Sequence, residues 1–376
     1  MEYRALGSTG LKVSVLGFGA MRIPGKPVEE VAPILHRAIE LGVTYIDTAP
    51  GYGDSEALIG QALAGRDTSG LVISTKSSPD GDTTADAVRQ RVEESLQRMG
   101  IPKINVLQMW GVNNAEVRQK VFAKGGPLEG VRQLQAEGLV DHLGFTTHGQ
   151  PEDVIALMET GEFESVTGRY HYLDLVYEPV RERARELGMA FVAMTPLGQG
   201  WLARPTAKLQ AVLGAHHPVD FALRTTAAKP GISSMIVGIG SLTELEEAYH
   251  AIGGELQDAA GLEAAAQEVR AHLARLMPSG TYCTGCRECL PCPANVNIPE
   301  LLRLNNLLRA YDLVDWCKDR YKLMGNAAHW YPGVKVDQCT ECGDCEPRCP
   351  ERLPIIALLK QLHDDLFEGE RGRRSK

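Results

Sequence analysis

Short apolar runs recur eight times in the first 270 residues, with helical segments between them. The runs are VSVLGFG near 13, VTYID near 43, LVIST near 71, INVLQM near 104, HLGFTT near 142, SVTGRY near 165, AFVAMTP near 190 and SSMIVG near 233. Intervening segments such as VEEVAPILHRAIELG and ADAVRQRVEESLQRMG place apolar residues at i, i+3 and i+4 and end at glycine, the pattern of helices with one buried face. Eight β/α units in roughly 250 residues predict a (β/α)8 TIM barrel. A doubly wound parallel sheet is the rival, but no run is followed by G-x-G-x-x-G. A hydrophobic content of 44%, with 23% charged and 6% aromatic residues, is ordinary for a globular chain and excludes a disordered or fibrous one. At 376 residues the chain has room for a second, smaller domain after the barrel.

The cysteines mark that domain. There are nine, all after residue 280. Cys283, Cys286, Cys289 and Cys292 form one group before Pro293; Cys339, Cys342, Cys345 and Cys349 form another before Pro350. A disulfide framework would spread its cysteines through a small secreted domain, so this clustering points to metal held by thiolates in a reducing compartment. Three cysteines at C-x2-C-x2-C let one loop bind three irons of a cube, and a trailing Cys-Pro serves the other cluster in two-cluster ferredoxins. The spacing therefore predicts one 4Fe-4S cluster on Cys283, Cys286, Cys289 and Cys349 and a second on Cys339, Cys342, Cys345 and Cys292. The alternative is a pair of zinc sites, each held by four thiolates. The first group ends C-x2-C-P, one residue short of the usual spacing. Cys317, outside both groups, reads as a small buried apolar residue. Between the groups, IPELLRLNNLLRAYDLVDWCKDRYKLMG has helical pattern, and residues 275 to 360 resemble the α-helical ferredoxin modules of succinate dehydrogenase iron–sulfur subunits. The expected division is a barrel over 1–270, a helical iron–sulfur domain over 271–360 and a polar tail over 361–376. Such a barrel is expected to fold without the tail, and the cysteine domain not to fold without metal.

Chemistry in a TIM barrel sits at the C-terminal strand ends. The second run ends at Asp47 and continues DTAPGYGDSE; the third ends at Lys76. Together with RALGSTGLKVSVLGFGAMR at the start, these phrases resemble the aldo-keto reductase family over about residues 1 to 270. The phrases CTGCxxCxPCP and CxxCGxCxxxCP resemble the iron–sulfur branch of that family. The resemblance implies hydride transfer between a nicotinamide cofactor, NADP(H) or NAD(H), and a carbonyl carbon. Tyr52 would then protonate the oxygen, Lys76 would lower the tyrosine pKa and Asp47 would fix the lysine. Where the family carries a histidine after the fourth strand, this chain has Trp110 in LQMWGVNN. Indole donates one hydrogen bond and accepts none, so Trp110 either points its N–H at a carbonyl oxygen or walls the pocket.

The resemblance further implies cofactor contacts from Gly19, Thr146, Thr147, Thr167, Met194, Pro196, Leu197, Gly198, Gly200, Gly238 and Ser241. Thr146-Thr147 replace a Ser-Asn pair, Thr167 a glutamine and Met194 the tyrosine that stacks on nicotinamide. Gly198 and Gly200 would let the backbone approach pyrophosphate. No Lys or Arg lies between 237 and 250, where a 2′-phosphate would draw one, and Ala248 stands where an adenine-contacting asparagine is common. His148, Arg169 and His171 follow the fifth and sixth runs and are candidates to hold an anionic substrate or to replace the missing histidine, against a solvated or capping role.

The net charge of −9 repels phosphate backbones, and the one dense basic run, Arg371, Arg373, Arg374 and Lys376, lies in the polar tail, so nucleic acid is not an expected partner. No apolar stretch approaches the roughly 18 to 20 residues of a membrane span. MEYRALGSTG lacks the layout of a signal peptide, which makes the cytoplasm the expected compartment. Three functions are consistent with these parts. In the first, the barrel reduces a small carbonyl compound with NAD(P)H, or oxidises the alcohol, while the clusters exchange electrons with a ferredoxin-like or other electron-transfer protein. In the second, the clusters pass single electrons to a barrel-bound substrate without nicotinamide. In the third, the chain is a non-catalytic redox sensor or scaffold.

Overall fold

The computed structural model describes residues 1–252, 259–325 and 333–368. It divides into two compact units, Met1–Leu202 with Val219–Glu263, and Ala203–Pro218 with Ala264–Lys376.

The first unit opens with an antiparallel hairpin of β1 (Tyr3–Ala5) and β2 (Lys12–Ser14). Eight parallel strands follow: β3 (Leu16–Gly19), β4 (Tyr45–Asp47), β5 (Val72–Ser77), β6 (Ile104–Trp110), β7 (Val140–Thr146), β8 (Ser165–Arg169), β9 (Ala190–Met194) and β10 (Ile232–Gly238). They pair in the order β10-β3-β4-β5-β6-β7-β8-β9 and close into a barrel. All eight apolar runs of the sequence are strands of this barrel, and closure of β10 on β3, with Met235 opposite Leu16, replaces the doubly wound alternative. That pairing needs a glycine. A Cβ at Gly19 would stand 2.8 Å from Ile236 Cγ2 and 2.9 Å from the Val237 carbonyl oxygen. Gly19, expected at the cofactor, is thus also required by strand contact.

The barrel helices bury one face each. In Val28–Glu40 the buried side chains are Val31, Ile34, Leu35 and Ala38, at the i, i+3, i+4, i+7 spacing seen in the sequence. In Ala85–Met99 the Thr84 side chain accepts from the Ala87 N–H, and Gly100 at φ 62° ends the helix. At the other end of the barrel from the strand C termini, Tyr45, Val72, Val106, Ala190 and Val192 form a buried cluster with Leu6 and Val13 of the hairpin region. That end is packed shut with apolar side chains, which leaves polar chemistry to the opposite end.

The second unit is helical, with Ala207–Leu213, Ile298–Tyr311, Val314–Leu323 and Ile355–Leu366. Asn297 accepts from the Glu300 N–H to start Ile298–Tyr311, and Asp312 at φ 55° stops it. Its Leu301, Leu304 and Leu308 are buried, as are Leu358, Leu359 and Leu362 of Ile355–Leu366, the helix it packs on. Two boundaries differ from the sequence expectation. Residues 203–218, expected in the barrel, fold here. Thr206 Oγ1 donates to the Tyr311 carbonyl at 2.6 Å, and Lys208 pairs with Asp312 at 2.8 Å. Residues 361–366, expected in the polar tail, are the end of a helix whose Leu362 and Leu366 are buried. The basic run Arg371, Arg373, Arg374 and Lys376 lies outside the described residues. Among the described residues no helix is long and apolar enough to cross a membrane.

Candidate active site and cysteine cavities

Strands β4 and β5 are neighbours, so Asp47 and Lys76 at their ends meet inside the barrel. Lys76 Nζ donates to Asp47 Oδ1 at 2.7 Å and to the Thr48 carbonyl at 2.7 Å. Both side chains are almost wholly buried, at 3% and 4% exposure. An isolated buried charge would be prohibitively costly, so this pairing is what allows either group to stay ionised. The loop after β4 brings Tyr52 over the pair, with Lys76 Nζ 4.7 Å from the tyrosine ring centroid.

At Tyr52 burial works against the effect expected of the lysine. Burial raises the Tyr52 pKa above its ordinary value; the Lys76 ammonium opposes this through charge and hydrogen bonding but does not overcome it, and the Asp47 carboxylate adds to the rise. For Lys76, burial is the largest single influence and disfavours the ammonium, but the charges and hydrogen bonds of Asp47 and Tyr52 together outweigh it and hold the group above the ordinary lysine range.

A residue that the sequence reading passed over completes the pair. Gln108 of β6 donates from Nε2 to Asp47 Oδ2 at 3.0 Å and to Ser74 Oγ at 2.7 Å. Its Oε1 accepts from Thr167 Oγ1 at 2.8 Å. Thr167, expected to contact cofactor, is therefore turned onto Gln108 and is 2% exposed. The available signal was period two on a strand: Gln108 precedes Trp110 by two residues and lies on the same side of β6.

Trp110 packs edge-on to Tyr52, with centroids 5.8 Å apart and planes at 82°. Its six-membered ring covers Gly51 so closely that a Cβ there would stand 2.4 Å from Trp110 Cη2. The indole thus walls the tyrosine rather than standing apart from it.

The remaining expected cofactor positions are more engaged in the fold than their resemblance suggests. Thr146 Oγ1 accepts from the Gly111 N–H at 3.1 Å. Thr147 Oγ1 donates to the Val112 carbonyl at 2.8 Å, and Asn113 Oδ1 accepts from the His148 N–H at 2.6 Å. The N–H groups of Gly198 and Gly200 donate to Thr195 O and Leu197 O, each at 2.8 Å, so the loop's turns use the groups expected at pyrophosphate. Gly198 also leaves room for Trp201, whose Nε1 would lie 2.5 Å from a Cβ. Met194 ends β9, with Pro196 and Leu197 in the loop beyond it. Gly238 ends β10 with the Arg22 side chain against it, and Ser241 Oγ accepts from the Glu244 N–H at 3.2 Å. Arg22 pairs with Glu244 at 2.7 Å, so a cation absent from 237–250 arrives from the loop after β3. Arg169 pairs with the buried Asp174 at 3.4 Å. His171 is 4% exposed and packs edge-on to Trp201 at 5.9 Å, while His148 is half-buried.

In the second unit the cysteines line two cavities. Cys283, Cys286, Cys289 and Cys349 line one, with Pro299, Leu302 and Leu353. Cys292, Cys339, Cys342 and Cys345 line the other, which Cys289 also borders, with Val296, Ile298 and Leu359. Four sulfurs around an apolar hollow fit a cube of iron and sulfide. Among the described residues no group of three or more Cys, His, Asp or Glu converges to hold a single ion. Asn306 pins the first loop, accepting from the Cys283 N–H at 3.2 Å and donating to its carbonyl at 2.7 Å. Burial pushes the Cys283 and Cys289 thiols up to about 11 and about 12. Cys317 is fully buried and its thiol faces the Leu304 carbonyl at 3.6 Å, in keeping with an apolar role.

An eight-stranded barrel with an Asp–Lys–Tyr group at its C-terminal end, in one chain with a cysteine-lined helical unit, defines an oxidoreductase class. Residues 15–260 match the Aldo/keto reductase family and residues 282–353 the 4Fe-4S dicluster domain. The chain belongs to the aldo/keto reductase family and carries a C-terminal 4Fe-4S domain; the latter match replaces the zinc alternative. It is 27% identical to L-galactose dehydrogenase of Arabidopsis thaliana over 286 residues, 67% of this chain and 88% of the relative. It is 28% identical to 6-dehydroglucose reductase of Novosphingobium aromaticivorans over 262 residues, 63% of this chain and 84% of the relative. The holo form of aldo-keto reductase AKR11C1 from Bacillus halodurans has the same fold, with TM-score 0.64 and 22% identity over 72% of this chain and 96% of that one.

Proposed function

We propose that the barrel reduces a small carbonyl compound, or oxidises the corresponding alcohol, with NADP(H) or NAD(H), and that the cysteine unit carries two 4Fe-4S clusters that exchange electrons with a ferredoxin-like or other electron-transfer protein. The observation that carries the barrel assignment is the buried Lys76–Asp47 pair beneath Tyr52. When bound, the nicotinamide supplies the hydride. Tyr52 holds the proton for the substrate oxygen, Lys76 offsets the tyrosinate charge left behind, and Asp47 keeps Lys76 charged. Trp110 excludes water from one side of the tyrosine and offers an aromatic face to the substrate. The names of the two relatives point to sugars, and a sugar ring with its C–H groups on such a face suits Trp110. In the second unit Cys283, Cys286, Cys289 and Cys349 would hold one cluster and Cys292, Cys339, Cys342 and Cys345 the other. The two cavities support this crossed assignment.

A second reading has the clusters pass single electrons to a barrel-bound substrate. It is favoured by the engagement of the Thr147 and Thr167 hydroxyls within the barrel, which leaves fewer groups for nicotinamide.

An anaerobic titration of iron-quantified protein with NADPH, and separately NADH, tests both. Nicotinamide fluorescence reports binding, and visible and EPR spectra report cluster reduction. Binding of either nucleotide is expected; binding with cluster reduction would join barrel and clusters in one electron path. Failure of both nucleotides to bind would move the assignment to the second reading.

A further inference from the structure

Strand β6 reaches the proton-handling group from two sides. Trp110 meets the Tyr52 ring, and two residues earlier Gln108 meets Asp47. Asp47 uses both oxygens: Oδ1 takes Lys76, while Oδ2 takes Gln108 Nε2 and, at 3.4 Å, Ser74 Oγ. Gln108 is fully buried, and its own Oε1 is held by Thr167. The carboxamide therefore cannot turn end for end without setting its oxygen against a carboxylate and its N–H2 against the hydroxyl that now donates to it. Four strands contribute to one hydrogen-bonded chain that converges on Asp47 of β4, from Thr167 on β8 through Gln108 on β6 on one side and from Lys76 on β5 on the other.

We propose that Gln108, oriented by Thr167, is a positioning residue that sets the acidity of Tyr52 at a distance, by holding Asp47 where it pairs with Lys76. The inference deepens the assignment of Tyr52 as proton donor and rests on it. The charged groups acting on Tyr52 are Lys76 from β5 and Asp47 from β4, and the lysine acts more strongly than the aspartate. Buried Tyr45 on β4 is the other titratable neighbour of Asp47. Without the Gln108 donor, Asp47 Oδ2 keeps only the longer Ser74 Oγ contact, the carboxylate is less favoured and it holds Lys76 less firmly. The ammonium, no longer held 4.7 Å from the Tyr52 ring centroid by Asp47, then acts less on the tyrosine, whose pKa rises because the lysine is the stronger of the two charges on it.

The test is carbon NMR of the full-length protein with Cζ-labelled tyrosine, the Tyr52 signal being assigned by its loss in Tyr52→Phe. Gln108→Leu is expected to shift the Tyr52 titration upward by about one pH unit or more. Thr167→Val, which removes only the far hydroxyl, is expected to shift it in the same direction by less. Should Gln108→Leu fail to fold, Thr167→Val alone decides. A folded variant whose Tyr52 titrates as in the wild type would overturn the proposal, even if its melting temperature fell, because a merely structural role lowers stability without moving that signal. The readout needs neither nucleotide nor substrate. A shift in Tyr52 together with absent nucleotide binding would uphold the positioning role while removing the proposed reaction.

Discussion

Gly51 is fixed by its neighbour. The Trp110 ring occupies the space of a side chain there, 2.4 Å from where a Cβ would lie. Gly51→Ala is expected to displace the indole from Tyr52 at a cost of about 1–3 kcal/mol; thermal unfolding, with tryptophan fluorescence referenced to Trp110→Phe, checks it. Lys76→Met strands Asp47 as a buried carboxylate and should cost about 3–5 kcal/mol, read by denaturant unfolding. The pH dependence follows from Tyr52 and Lys76, whose folded pKa values lie above their ordinary 10.0 and 10.5. Raised groups stabilise the fold fully below the ordinary values and lose that contribution as pH rises through the folded ones. Stability should therefore fall on the alkaline side, less steeply in Tyr52→Phe, as melting temperatures across that range will show. Asp47 and Lys76 were legible in the sequence as charged residues at barrel strand ends, and Tyr52 through the resemblance of DTAPGYGDSE to a family pattern. Gln108 was not, since a glutamine inside an apolar run does not announce which way it faces. The direction of the Tyr52 shift was not legible either, because burial is a property of the surrounding fold.

At the scale of elements, the eight runs were readable because a strand buried in a barrel is apolar over most of its length, with polar residues gathered toward its C-terminal end. The helices were readable because each buries one face. Residues 203–218 show the limit of that logic. PTAKLQAVLGAHHP has an apolar face, with Leu209 and Leu213 buried, but a pattern of burial does not say which unit supplies the covering surface. The cysteine loops depend on helix Ile298–Tyr311 in a way that spacing alone could not reveal. Asn306 supplies both backbone hydrogen bonds that hold Cys283 in place. Asn306→Leu is expected to loosen that loop and lower the iron and sulfide content of anaerobically purified protein by up to half, while the second cysteine group retains its share. Metal analysis with EPR of the reduced protein checks this; full iron retention would remove the asparagine from the account.

For the whole molecule, the cysteine unit has thiols crowded around two hollows and should lose its order when the clusters are stripped. Oxygen exposure is expected to bleach the visible absorption and to raise hydrogen exchange across residues 283–349 and across 203–218 together, while the barrel strands stay protected. Exchange confined to the C-terminal residues would separate the inserted segment from the cysteine unit. The sequence placed a single break near 270 to 280, whereas the chain leaves the barrel after Leu202, contributes a helix to the other unit, returns at Val219 and leaves again.

That excursion bears on how such a protein can be recombined. The two units are not cassettes separable by one cut, for truncation near residue 263 would keep the barrel's strands yet leave Thr206 and Lys208 without Tyr311 and Asp312. A chimera that exchanges the iron–sulfur unit between relatives must therefore carry two pieces of DNA, one of them taken from the middle of the barrel's own coding sequence.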